Sequence, residues 1–148
     1  MLGLTLATVL QVSLMAPTSE TYADAHRQTA KTGRPMVIMV GTDWCMPCQR
    51  MKNSVLPEVR KDGLLSRVSF AMVDADREQD LAKRLTGGGP VPQLVMYRKT
   101  SDGWKRRKLI GGQSVDTVEK FIKDGLTADA ASKNEASKDE TSKKTAKR

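Results

Sequence analysis

Three short apolar runs divide the chain, and helical spacing fills the intervals between them. Met36–Val40, "MVIMV", is an unbroken apolar run held between turn residues. A run of that length with no polar alternation predicts a strand buried on both faces, as in the middle of a parallel sheet. Val68–Val73 predicts a second buried strand, ending at Asp74 and Asp76. "QLVMYRK" predicts a third, and "WKRRKLIGG", which alternates in part, a fourth. Asp102 and Gly103 between them mark a hairpin turn.

The intervals read as helices. Ser19–Thr32 carries a capping Ser19 with an acidic residue just inside, and a modest apolar face of Tyr22, Ala25 and Ala30. Gly33, Arg34 and Pro35 stop it. Met51, Val55, Leu56 and Val59 keep helical spacing, and Pro57 is expected to kink or break that helix. Arg77–Leu85 is a short helix, and "TGGGPVP" after it a tightly turned loop. Ser114–Leu126 closes the set, capped by Ser114, with Val115, Val118, Phe121, Ile122 and Leu126 on one face. The order is helix, strand, helix, strand, helix, strand, strand, helix. Buried strands alternating with helices imply a parallel βαβ unit, and the late hairpin adds an antiparallel edge.

The ends differ from this pattern. Residues 1–18 are apolar, and the first charged side chain is Glu20. Thr5, Thr8, Gln11 and Ser13 interrupt the segment, which is short for a membrane span of about 20 residues. It resembles a secretory signal cleaved near Ala16, although its start lacks Lys or Arg and Leu14 is large for a small-residue position. The alternative is a first strand or a buried N-terminal segment. Export would place the protein in a periplasmic or extracellular compartment that tolerates disulfides; otherwise it is cytoplasmic. An uncleaved N-terminus is the one route to membrane contact. Residues 127–148 contain no aromatic, Leu, Ile or Val and are read as a disordered Lys/Ala/Ser-rich tail. Residues 19–126 then form one domain.

Composition adds less. The 148 residues leave room for one core, and with 39% hydrophobic but 4% aromatic residues that core should be aliphatic, with several of the 8 Met. The formal charge of +8 admits an anionic partner. The basic residues, densest at Lys105–Lys108 and at the C-terminus, form no interleaved basic-aromatic stripe along the sequence, so nucleic acid is not expected. Lys105–Lys108 read most simply as guards of an edge strand. Trp104 reads as packing, and His26 receives no role.

Candidate chemistry lies in "GTDWCMPCQR", Gly41–Arg50, which holds both cysteines of the chain, Cys45 and Cys48. Such a pair is half of a metal site, a structural staple or a redox centre. Structural zinc needs four ligands. The chain offers Cys45, Cys48 and the single His26, so a metal requires an ion shared between two chains. Nothing indicates a nucleotide, flavin or haem site, and no cofactor is expected.

"DWCMPC" after a buried strand and at a helix start resembles the Trp-Cys-x-x-Cys active site of the thioredoxin-like family. "VPQL", Val91–Leu94, resembles that family's loop in which a cis proline faces the cysteines, and Gly111 and Gly112 fall where its glycine does. The resemblance covers about Ser19 to Leu126 and implies an α/β thioredoxin-like fold, a central mixed β-sheet flanked by helices. It implies a thiol–disulfide oxidoreductase acting on protein thiols and disulfides, supplied by a separate redox partner protein. Cys45 would be the exposed attacker and Cys48 the more buried resolver. Trp44 would shield the sulfurs, unless it is a semi-buried core residue. Pro92 would bring Val91 into backbone contact with an extended substrate. A cysteine at a helix N-terminus also favours thiolate on physical grounds, and Pro47 suits a first turn where its missing N–H is not needed.

One departure bears on mechanism. Efficient reductases of the family carry a buried Asp six positions before the first cysteine, where this chain has Met39, and its Lys partner has no counterpart in Val68–Val73. Water or Asp43 must then take the proton of Cys48. Met46 replaces the usual small Gly. The competing reading is a redox-inert adaptor that keeps the fold.

Overall fold

The computed structural model describes residues 21–100 and 102–127. The apolar N-terminal segment, the Ser19 cap and the tail beyond Thr127 lie outside them. Four strands form one mixed sheet, in the order β2-β1-β3-β4: β1 Met36–Gly41, β2 Ser69–Asp74, β3 Gln93–Thr100 and β4 Gly103–Ile110. β1 pairs parallel with β2 and antiparallel with β3, and β4 runs antiparallel along β3. The helices are α1 Tyr22–Thr32, α2 Met46–Arg50, α3 Leu56–Lys61, α4 Gln79–Thr86 and α5, residues 115–127.

Strand pleating sends alternate side chains to opposite faces. Val37 and Met39 of β1 join Leu94, Met96, Val59, Val118, Phe121 and Ile122 in one cluster, beneath α2, α3 and α5. Met36, Ile38 and Val40 join Ala25, Ala71, Val73 and Leu85 in the other, beneath α1 and α4. Val37, Ile38 and Val40 have no exposed surface. Each such side chain contributes about 1.5–3 kcal/mol by leaving water. The core is mostly aliphatic and Met-rich, with Phe70 and Phe121 added.

Several boundaries differ from the sequence expectation. α1 starts at Tyr22, because the Thr21 side chain accepts the Asp24 N–H and is the cap. Its inner face is Tyr22, Ala25 and Thr29; Ala30 is exposed. β2 begins one residue later than expected, since Val68 ends a short 3-10 turn, Leu65–Arg67. α4 begins at Gln79, two residues later, after a turn in which the Glu78 N–H reaches the Asp74 carbonyl. Thr127 belongs to α5 rather than to the tail, and its hydroxyl donates to the Lys123 carbonyl at 3.1 Å. Ser114 caps α5 through the Thr117 N–H at 3.3 Å.

Pro57 does not break its helix. A π-helical segment, Met51–Val55, joins α2 to α3, with the Leu56 N–H donating to the Met51 carbonyl five residues back. Proline crowds the carbonyl four residues before it and leaves that carbonyl without a donor. The wider turn just ahead of Pro57 absorbs both effects, so the helical path runs unbroken from Met46 to Lys61. Met51, Val55, Leu56 and Val59 all stay buried.

Burial separates the centre of the sheet from its β4 edge. Leu94→Ala should lower the free energy of unfolding by about 2–5 kcal/mol, seen as a lower urea midpoint with an unchanged slope. Lys105→Ala on β4 should stay within about 0.5 kcal/mol of the parent.

Candidate functional site

β1 ends at Gly41, and Thr42, Asp43 and Trp44 turn the chain into α2. Cys45 is the N-cap of that helix, with extended backbone (φ −80°, ψ 109°). Its sulfur accepts the Cys48 N–H at 3.3 Å. This is one of the first-turn N–H groups for which a helix has no backbone acceptor. Pro47 lies in the same turn and withdraws no needed donor. Cys45 and Cys48 are joined by a disulfide, with Cα atoms 5.2 Å apart. The bridge ties residues already fixed in one turn and links no separate elements, which argues against a staple.

Both sulfurs are largely enclosed. Cys45 is 7% exposed and Cys48 2%. Cys45 is therefore the more accessible of the two, but far from an openly exposed residue in this oxidised state. Each faces its own concavity. Cys45 lines an open groove of about 590 Å³ with Trp44, Met46, Pro47, Pro90 and Val91. Cys48 lines a cavity of about 640 Å³ floored by Met39, Gly41 and Met72 and rimmed by Asp43, Lys52 and Arg77. Thr42 lies between them and lines both; its hydroxyl is buried without a protein partner.

The loop before β3 forms the far wall of the groove. The Val91 carbonyl oxygen lies 3.9 Å from the Cys45 sulfur, and the Val91–Pro92 peptide bond is cis. The Pro92 carbonyl accepts the Gly111 N–H at 2.8 Å, which ties this loop to the end of β4. Gly111 makes the turn there with φ 85°, a conformation that favours glycine. Gln93, fully buried, donates to the Pro90 carbonyl at 2.9 Å and holds the loop from beneath.

Trp44 is 72% exposed and is no core residue. Its indole N–H donates to Asp76 at 2.8 Å, so the ring stands as a fixed wall beside Cys45. Asp43 is also exposed. Its carboxylate lies 3.8 Å from both Lys52 and Arg77, and its carbonyl accepts the Gln49 side-chain amide. Trp44, Cys45, Pro47 and Val91 therefore share the groove, with Pro92 behind it, whereas Asp43 sits across the disulfide on the Cys48 side. Met39 is 3% exposed and belongs to the cluster that contains both cysteines. Among the described residues no group of three or more His, Cys, Asp or Glu side chains comes together to hold a metal.

Two contributors carried no signal in the sequence. Asp76, which anchors Trp44, lies 32 residues away, and no local spacing relates them. Gly41 looks like an ordinary strand end. A Cβ there would lie 3.1 Å from the Cys48 Cβ and 3.2 Å from its sulfur, so the absent side chain makes room for Cys48.

A family model described as thioredoxin-like matches residues 16–99. Among solved structures, a thioredoxin from Thermus thermophilus aligns with a TM-score of 0.61 at 24% identity, covering 71% of this chain and 83% of that one. Chloroplastic thioredoxin z aligns at 0.59 and 16% identity, covering 72% and 91%. The oxidised form of mitochondrial thioredoxin 3 from Saccharomyces cerevisiae aligns at 0.52 and 26% identity, covering 67% and 86%. The first two likenesses, under 25% identical, concern the fold alone. No curated protein sequence matches the chain.

The space left by Gly41 is testable. Gly41→Val should destabilise the oxidised protein by about 1–3 kcal/mol through overpacking against Cys48. It should also slow reclosure of the disulfide after reduction, followed with glutathione disulfide. Unchanged stability and closure would show that the space is not needed.

Proposed function

Because the chain belongs to the thioredoxin-like family, we propose that it is a thiol–disulfide oxidoreductase that exchanges disulfides with protein substrates through Cys45 and Cys48. The observation that carries this reading is the Cys48 N–H directed at the Cys45 sulfur at the start of a helical run. An unpaired N–H and the positive end of the helix dipole both stabilise negative charge on that sulfur once the bridge is open.

In the reduced protein the Cys45 thiolate attacks one sulfur of a substrate disulfide. That S–S bond breaks, the other substrate sulfur leaves as a thiolate, and a mixed disulfide joins Cys45 to the substrate. Cys48 then loses its proton and attacks the Cys45 sulfur. The second substrate sulfur leaves, and the Cys45–Cys48 bridge forms. Two electrons pass to the substrate, and a separate partner protein's dithiol restores the pair. The same steps run backwards when the partner is an oxidant.

The neighbours take roles from their positions. Trp44 and Pro47 give the groove apolar walls that keep water from the mixed disulfide. The Val91 backbone, 3.9 Å from Cys45, can pair with an extended substrate chain. On the other side, Met39 occupies the place of a buried carboxylate beneath Cys48, and the carboxylates that line the cavity, Asp43, Asp74 and Glu78, are exposed or half-buried. Water in this cavity, with Asp43 on its rim, receives the Cys48 proton. Export, read from the apolar first 18 residues, would set the exchange in an oxidising compartment.

Two variants and a titration test the assignment. Cys45→Ser should abolish reduction of insulin-type disulfides, and Cys48→Ser should instead accumulate the mixed disulfide, detected by mass. A redox titration in defined thiol buffers then sets the direction: about −270 mV marks an electron donor, and about −120 to −180 mV an oxidant or isomerase. A pair that does not titrate would favour the redox-inert adaptor.

Met39→Asp tests the proton route. Burial should raise the introduced carboxyl's pKa above its unfolded value of about 3.9. The variant's extra penalty is then absent below that pH and grows as pH rises, to roughly 3 kcal/mol near neutrality. Closure by Cys48 should be faster than in the parent. Equal closure rates would show that proton removal is not limiting.

A further inference from the structure

The sheet ends at β4, and among the described residues no strand pairs with its outer side. A free edge presents unpaired N–H and C=O groups that can accept another strand. The side chains on this edge carry one sign. Lys105 and Arg107 lie on the face shared with Leu109, where Arg107 stands 5.2 Å over the Phe121 ring and 4.0 Å from the Asp124 carboxylate. Strand alternation puts Trp104, Arg106, Lys108 and Ile110 on the opposite face. There α1 lies on β1 and β2, while α4 lies on β1, β2 and β3, which leaves Trp104 55% and Ile110 54% exposed. Register sets Lys99 opposite Trp104 and Arg106 opposite Tyr97. Residues 98–108 hold six cations against one carboxylate, Asp102, which pairs with Lys105 at 4.0 Å.

We propose that the β4 edge binds an extended acidic polypeptide segment, which adds to the sheet as a further strand. Cations on both faces of one strand repel a second copy of the same edge. The same charges attract a strand rich in Asp or Glu, whose side chains would alternate between Lys105 and Arg107 on one face and Arg106 and Lys108 on the other. Backbone hydrogen bonds supply affinity and the charges supply selection. Nucleic acid fits less well. Tyr97 is half-buried, so Trp104 is a single exposed ring rather than a ladder for successive bases. The edge also leads to the disulfide, because Ile110 pairs with Gln93, next to Pro92. An acidic strand seated here holds its own protein beside Cys45. As a statement of substrate class this rests on the exchange reading; as a statement of binding it does not.

The test uses the oxidised full chain and a labelled peptide of Glu-Glu-Thr-Thr repeats, which as a strand carries Glu on both faces. Anisotropy should show saturable binding that weakens as salt is raised, and amide shifts should move along β4. Lys105→Glu combined with Arg106→Glu should weaken binding by at least about tenfold, with disulfide exchange on a neutral substrate unchanged. Absence of binding, shifts confined to other elements, or equal affinity in the double variant would overturn the proposal. So would a single-stranded oligonucleotide or anionic vesicles binding as tightly as the peptide, because the surface would then select charge alone. No arm reads turnover of the peptide, so a loss of exchange activity leaves the binding result standing.

Discussion

Everything at this site depends on burying β1 on both faces. The strand pairs with β2 on one side and β3 on the other, and its side chains fill both clusters of the core. It cannot slide by one residue without exchanging the two sets. Its C-terminal end is therefore a fixed point, and Gly41–Trp44 needs only to turn the chain for Cys45 to cap α2. β3, held to the same strand, delivers Val91 and Pro92 from the other direction. The short distance between Val91 and the Cys45 sulfur is thus a property of the sheet register rather than of either loop.

The same strand fixes the chemistry beneath the disulfide. Met39 pairs across the sheet with Met72, and both line the Cys48 cavity. A buried carboxylate there would offer the resolving thiol a base at a desolvation cost of several kcal/mol unless paired. Two thioethers avoid that cost and offer no base. The charges of Asp43, Lys52 and Arg77 stay at the cavity rim, where water screens them and their pairing adds little to stability. The arrangement favours a stable fold, and in the proposed exchange it leaves proton transfer to solvent.

Legibility followed the range of the interactions. Strands β1 and β3, the hairpin, the Ser114 cap and the cysteine turn were all readable because their signals lie within a few residues. So was the mixed α/β architecture, through the order of its elements. The misreadings have longer-range or competing causes. Ala30 was assigned inward by composition, but the packing of α1 on β1 and β2 turns Thr29 inward instead. Pro57 is expected to kink or break its helix, and the break does not occur because a widened turn carries the path through. Trp44 could have been core, and only the distant Asp76 fixes it at the surface. Gly41 gave no sign of its role, since the space it leaves is defined by Cys48, seven residues on in a different element.

The basic hairpin shows the same limit from the other side. Along the sequence, Lys105–Lys108 is a run of like charges of the kind a solvated strand carries. Folding makes it a pattern, because strand alternation divides the run between two faces and the antiparallel register brings Lys99 and Tyr97 opposite Trp104 and Arg106. Charge on a single edge has two consequences that need separating. Against an identical edge it is repulsive and protects the chain from edge pairing. Against an edge of opposite charge it is attractive, and the open backbone becomes usable. A guard built from mixed charges would provide neither effect reliably, because two copies could set opposite signs against each other. The choice of one sign is therefore the feature that turns a protective edge into a selective one.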